Sequence, residues 1–205
     1  VAAMTDPSAH HHSQPLKILL AFISIALALL LITYSYLMFQ WPMLRESHFL
    51  HYIAYLVNEH GFVPYRDILE TSWFGTFLFH MTIGKLFGYT DSAFRSADLL
   101  YLALLLLVTW KILRHLDHWL AWIGRLSFGL AYLHFGGANS LQRDYVLVLP
   151  VAMSLLVTLQ THWQCRWRSL LVGMCFGGVV SIKPHAVIGL PVIMALLYNQ
   201  SATDR

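Results

Sequence analysis

The sequence predicts an all-α membrane protein, with about six transmembrane helices and amphipathic surface helices in a long first outer loop. Three observations predict it. Of 205 residues, 58% are hydrophobic and only 11% charged, where a soluble domain carries about 25% charged residues. The apolar residues gather into successive runs of membrane-helix character. The basic residues fall on alternate connections between those runs, as they do in multi-pass proteins.

Residues 1–15 form a polar N-terminal tail that includes His10-His11-His12, read as a solvated tail rather than a metal-binding tract. The run 16–39 is too long for a signal-peptide core and lacks a small-residue cleavage site, so it is expected to be a retained span. Further spans are expected at 97–113, 119–135, 145–161, 169–182 and 185–198, the last two short and meeting at a kink near Lys183-Pro184. Together 16–199 read as one transmembrane region with an outer loop at 40–96, and 200–205 as the end of a chain that is the N-terminal part of a longer protein. The formal charge of +3 is dispersed and gives no support for nucleic-acid binding. Cys165 and Cys175, the two cysteines, have neither metal-ligand nor disulfide spacing.

Lys17, Lys111, Arg114, Arg125, Arg166, Arg168 and Arg205 fall on one side, which the positive-inside rule makes cytoplasmic. The loop 40–96, the turn 136–144 and Lys183 then emerge together on the outer side. The expected location is the plasma membrane (the bacterial inner membrane), with membrane lipids as partners.

Within the outer loop, residues 45–59 read as an amphipathic helix. Phe49, Leu50, Ile53, Leu56 and Val57 are expected on one face, and His48, His51, Tyr55 and Glu59 on the other. Glu46 heads the apolar face, where a carboxylate is costly unless paired or used; the plainer reading is that it favours the helix N-terminus electrostatically. Gly61 is expected to end the helix in a left-handed conformation, with Pro64 fixing an extended exit. Arg66-Asp67 follow in a turn, and an apolar stretch at 73–87 makes a second surface helix. The pair is expected to roof a cavity lined by Glu46, Arg66, Asp67 and Glu70, although Arg66-Asp67 also read as a structural turn pair. Arg143-Asp144 at the head of one span and Lys183 at the end of another are interfacial anchors or members of the same cluster.

Sugar transfer from a lipid-linked donor needs this combination. The acceptor hydroxyl must lose a proton to a positioned carboxylate. The leaving lipid phosphate needs Arg, Lys or a divalent cation. Glu46, with Lys183 or Arg143, meets both demands.

The segment 45–88 resembles the first outer loop of polytopic glycosyltransferases of the GT-C fold, the class of protein mannosyltransferases and lipid A aminoarabinose transferases. Gly61, Pro64, Tyr65, Asp67 and Leu86-Phe87-Gly88 match its pattern, and Gln142-Arg143-Asp144 and Lys183-Pro184 resemble two later signatures. Glu46 stands where Asp is commoner, and Ser72-Trp73-Phe74 replace the usual prolines. The resemblance implies Glu46 as the catalytic residue, substrate contacts from Arg66, Asp67, Arg143, Asp144 and Lys183, a polyprenyl-phosphate sugar donor, and a glycan, lipid or protein acceptor. It leaves the metal requirement open. The alternative is a membrane transporter or a non-catalytic membrane assembly protein. Transporters place ionisable groups near the bilayer midplane, whereas 23–32, 99–108 and 147–156 carry no charge.

Overall fold

A computed structural model describes residues 14–160 and 164–203; the histidine tract of the polar tail and Arg205 lie outside the described residues. The described chain is helical apart from its connections. It runs α1 (Gln14–Met38), α2 (Arg45–His60), α3 (Phe74–Phe87), α4 (Asp91–Leu113), α5 (His118–His134), α6 (Arg143–Leu159), α7 (Cys165–Ile182), a 3-10 segment (Pro184–Gly189) and α8 (Leu190–Thr203).

α4 is the centre of the bundle. It packs on α5, α6 and α3, with α1 laid against α5, and α7 and α8 against α6. Ile83, Phe94, Ala97, Leu141, Val146, Val179 and Ile182 form the core joining α3, α4, α6 and α7. Met38, Leu102, Tyr132 and Leu133 join α1, α4 and α5. α2 and α3 fold back on each other through Leu50, Ile53 and Phe77. This hairpin is pinned to the bundle at Gly75: a Cβ there would stand 2.7 Å from the Ser181 backbone carbonyl. Only glycine lets α3 approach α7 so closely.

All six expected spans are helical, but two of them, α1 and α4, are long and apolar enough to cross a membrane. α5, α6 and α7 have 17, 17 and 18 residues, short of the roughly 20 that a bilayer core requires. The expected kink at Lys183-Pro184 is present. α7 ends at Ile182, Lys183 is extended, and Pro184 opens the 3-10 segment, because proline has no N–H to continue the ladder.

Two expectations are corrected. α4 begins at Asp91, not near Ala97, because Thr90 caps it by accepting from the Ala93 N–H. The inward face of α2 is also different. His51 is buried beside Leu50, Ile53 and Ala54, whereas Phe49 is about half exposed. Periodicity sorted these residues by polarity, but His51 finds a carbonyl partner at Gly88 in the α3–α4 connection, which lets it enter.

Candidate functional site

The α1–α2 connection, the α2–α3 hairpin, the start of α4, the α5–α6 turn and the end of α7 meet at one end of the bundle. A buried knot holds them. The Arg95 guanidinium and Asp98 carboxylate, both fully buried, lie one turn apart on α4, 3.8 Å from each other. Arg95 donates to the Trp41 carbonyl (3.1 Å), the Pro42 carbonyl (2.5 Å) and the Ser140 hydroxyl. Asp98 accepts from Ser140 and from Tyr132 (2.6 Å). Ser47 at the head of α2 then donates to the Ser140 carbonyl at 2.5 Å. Two segments nearly a hundred residues apart are thus locked together, one carrying Glu46 and the other Arg143.

Between them lies a cavity of about 110 Å³ lined by Glu46, Phe49, Leu50, Glu70, Ser72 and Arg143. Arg143 donates to Glu46 Oε2 through Nε (3.2 Å) and Nη2 (3.0 Å), and among the described residues Oε1 has no hydrogen-bond partner. Its Nη1 donates to the Ser72 hydroxyl (3.0 Å), which donates onward to Glu70 at 2.8 Å. Tyr65 ties the elbow to this chain by donating to the Ser72 carbonyl at 2.6 Å. Burial, then the Glu70 charge, raises the Tyr65 pKa and keeps the phenol a donor. His80 lies buried nearby, its pKa pulled down to about 3 by burial and then by its neighbours His51 and Arg143.

Among the described residues, three non-glycine residues hold left-handed backbone: Arg45 (φ 56°), Tyr65 (φ 67°) and Leu141 (φ 46°). Each borders the cavity residues: next to Glu46, in the elbow bonded to Ser72, and two residues before Arg143. Such strain costs about 1–3 kcal/mol per residue and concentrates where a local geometry is functionally imposed.

The structure brings Glu46, Glu70 and Arg143 together, but not Arg66 and Asp67. Those two close on each other in the elbow, with Arg66 Nε and Nη2 donating to Asp67 at 2.9 and 2.8 Å. The Val63 N–H also donates to Asp67 at 2.8 Å. The Arg66 bonds, then the Val63 bond, hold the Asp67 carboxyl down at about 2. The expectation that this pair lines the Glu46 cavity is therefore corrected: neighbours in a tight turn satisfy each other, and Ser72 and Arg143 take their place. Gly61 ends α2 with φ 70°, the left-handed cap expected of it.

Lys183 and Asp144 form a second ion pair across the α6–α7 contact, beside Arg143 in sequence. An apolar groove of about 400 Å³ lies between α3, α4, α6 and α7, walled by Leu78, Phe79, Tyr101, Leu149, Pro150 and Met153. Val146, Ser181 and Ile182 form its near end, adjoining Asp144 and Lys183 in the chain. Among the described residues no three His, Cys, Asp or Glu side chains come together as a metal-binding group. Arg143 and Lys183 bring positive charge to this end.

Sequence reasoning missed Ser72, His80 and the Arg95–Asp98 knot. The available signal for the knot was an Arg and an Asp three residues apart at the head of an otherwise apolar helix. Compared with protein-family models, curated proteins and solved structures, the chain has no significant match.

Proposed function

We propose that the chain belongs to a membrane glycosyltransferase of the GT-C kind. It moves a sugar from a polyprenyl-phosphate donor to a hydroxyl of a glycan, lipid or protein acceptor on the outer face of the plasma membrane. One observation carries the reading: a carboxylate is held against an arginine, the next residue in the chain is ion-paired to a lysine, and an apolar groove begins one turn further along the same helix. In this reading α1, α4, α5, α6, α7 and the unit made by the 3-10 segment and α8 all cross the bilayer. Phe22, Ile32, Met174 and Val192, each more than 60% exposed on the bundle exterior, then face lipid.

The chemistry follows from the groups present. The acceptor oxygen bonds to the anomeric carbon, and the bond from that carbon to the phosphate oxygen breaks with its electron pair. The acceptor proton passes to Glu46 Oε1. Arg143 and Lys183 meet the charge that develops on the phosphate, while the isoprenoid chain lies along the groove. The transporter reading draws less support. The buried ionisable pair Arg95–Asp98 bonds to the connecting segments at Trp41, Pro42 and Ser140 and to Tyr132 of α5, as a structural buckle does.

Equilibrium binding of a polyprenyl-phosphate sugar to the protein in lipid nanodiscs tests the phosphate assignment. Lys183→Met is expected to weaken binding by roughly tenfold or more, the loss of one charge-assisted contact, with Lys183→Arg partly tolerated. Binding by Lys183→Met as tight as the parent's contradicts it, and makes Lys183 an anchor.

A further inference from the structure

In the half of the bundle remote from Glu46, an apolar groove of about 330 Å³ opens between α1 and α5. It is walled by Ala21, Ile25 and Ala28 of α1 and by His118, Trp119 and Trp122 of α5. The alanines leave the room. Ser24, also in the wall, turns its hydroxyl back to the Leu20 carbonyl at 2.8 Å, so the α1 side presents no free donor. Lys17 precedes Ala21 by four residues and continues the same stripe one turn nearer the start of α1.

Cations gather at this end without anions. The Arg125 guanidinium lies 3.6 Å from the ring of Trp122, in the groove wall, and 5.8 Å from Trp110, which Arg114 also approaches at 5.1 Å. Arg125 is half-buried and Arg114 exposed. Among the described residues, ion pairs are made by Arg66, Arg95, Arg143 and Lys183, and none by Lys17, Arg114 or Arg125. Asp117, the acid nearest in sequence, caps α5 by accepting from the Leu120 N–H at 2.8 Å.

Arg125 stands about 10 Å along α5 from His118. A cation at that depth in a spanning helix is costly, and a tryptophan face offsets only part of the cost. Helix side chains lean toward the N-terminus, which for α5 is the cytoplasmic end in the multi-pass reading. The guanidinium is thus held at headgroup level beside a groove that runs into the hydrocarbon. Trp122 belongs to both.

We propose that this end binds one anionic phospholipid of the cytoplasmic leaflet, with a phosphate oxygen accepting from Arg125 and an acyl chain lying in the α1–α5 groove. Lys17 and Arg114 add positive charge around the headgroup. A zwitterionic headgroup brings its own cation, which these three oppose, and a soluble anion would leave the groove unfilled. The site rests on the multi-pass reading of α1 and α5, and is independent of sugar transfer.

The test places the full chain in phosphatidylcholine nanodiscs and follows tryptophan fluorescence as phosphatidylglycerol brominated on its acyl chains is added. Brominated phosphatidylcholine serves as the parallel series. Phosphatidylglycerol is expected to bind in preference by about fivefold or more, the worth of one cation near a membrane surface. Arg125→Leu should remove most of that preference, and Lys17→Gln part of it. Ala28→Phe fills the groove and leaves every cation in place. It should weaken phosphatidylglycerol binding too, which a merely electrostatic attraction to the surface would not show. Should Arg125→Leu fail to fold, the Lys17 and Ala28 variants decide the matter. Equal quenching by the two lipids, or a preference unchanged in Lys17→Gln and Ala28→Phe, overturns the site and leaves the membrane reading standing. Failure of the chain to insert into either bilayer overturns both.

Discussion

The two ends of the bundle use charge in opposite ways. At one end, ionic contacts join residues remote in sequence: Glu46 to Arg143, Asp144 to Lys183, and Arg95 to the carbonyls of Trp41 and Pro42. At the other, Arg114 and Arg125 stack locally on tryptophan. Arg114 lies 5.1 Å from the Trp110 ring and Arg125 lies 3.6 Å from Trp122. A cation on a nearby aromatic ring is what an interfacial anchor needs. An ion pair spanning nearly a hundred residues, bordered by left-handed backbone, costs closure entropy and strain that anchoring does not require. The difference supports the proposed site at the first end and an anchoring role for Arg114 and Arg125 at the second.

Breaking the knot should have the largest effect on stability. Asp98→Ala leaves the Arg95 guanidinium buried without its carboxylate, and should destabilise the fold by about 3–5 kcal/mol. Thermal unfolding in detergent measures this, and a shift no larger than that of a surface variant would remove the knot from the account.

Acid should loosen the same end. His80 has a folded pKa of about 3, below its ordinary 6.5, so the folded state binds fewer protons than the unfolded one in between. The stability this supplies is fully present above pH 6.5 and is lost as pH falls toward 3. His80→Phe should flatten the stability–pH profile over that window, and an unchanged slope would contradict the assignment. The anchoring end should respond least. Arg114→Ala removes one exposed stacking contact and should cost at most about 1 kcal/mol, with donor binding unaltered. A large loss of donor binding in that variant would erase the distinction between the two ends.

Much of this fold was legible in the sequence because its signals are local. Apolar runs located α1, α4, α5, α6, α7 and α8, Gly61 marked the end of α2, and Lys183-Pro184 marked the break after α7. What was not legible depends on contacts across the chain. No periodicity says that His51 enters the core, because its partner is a carbonyl 37 residues away. Arg66 and Asp67 have the charges of a site, yet adjacency in a turn lets each consume the other. Glu46 stood out in the sequence as a carboxylate at the head of an apolar face, and Arg143 by emerging at the same end; that the two bond through two nitrogens, with Glu46 about half exposed, is information only the fold contains.

The central claim is that Glu46 takes the acceptor's proton. Glu46→Gln keeps the size of the side chain and removes its basicity. Turnover of a polyprenyl-phosphate sugar and equilibrium donor binding should be measured together, on the parent and on this variant, in the membrane-embedded protein. The account predicts transfer nearly abolished with donor binding close to the parent's. Near-parental turnover by Glu46→Gln would contradict it.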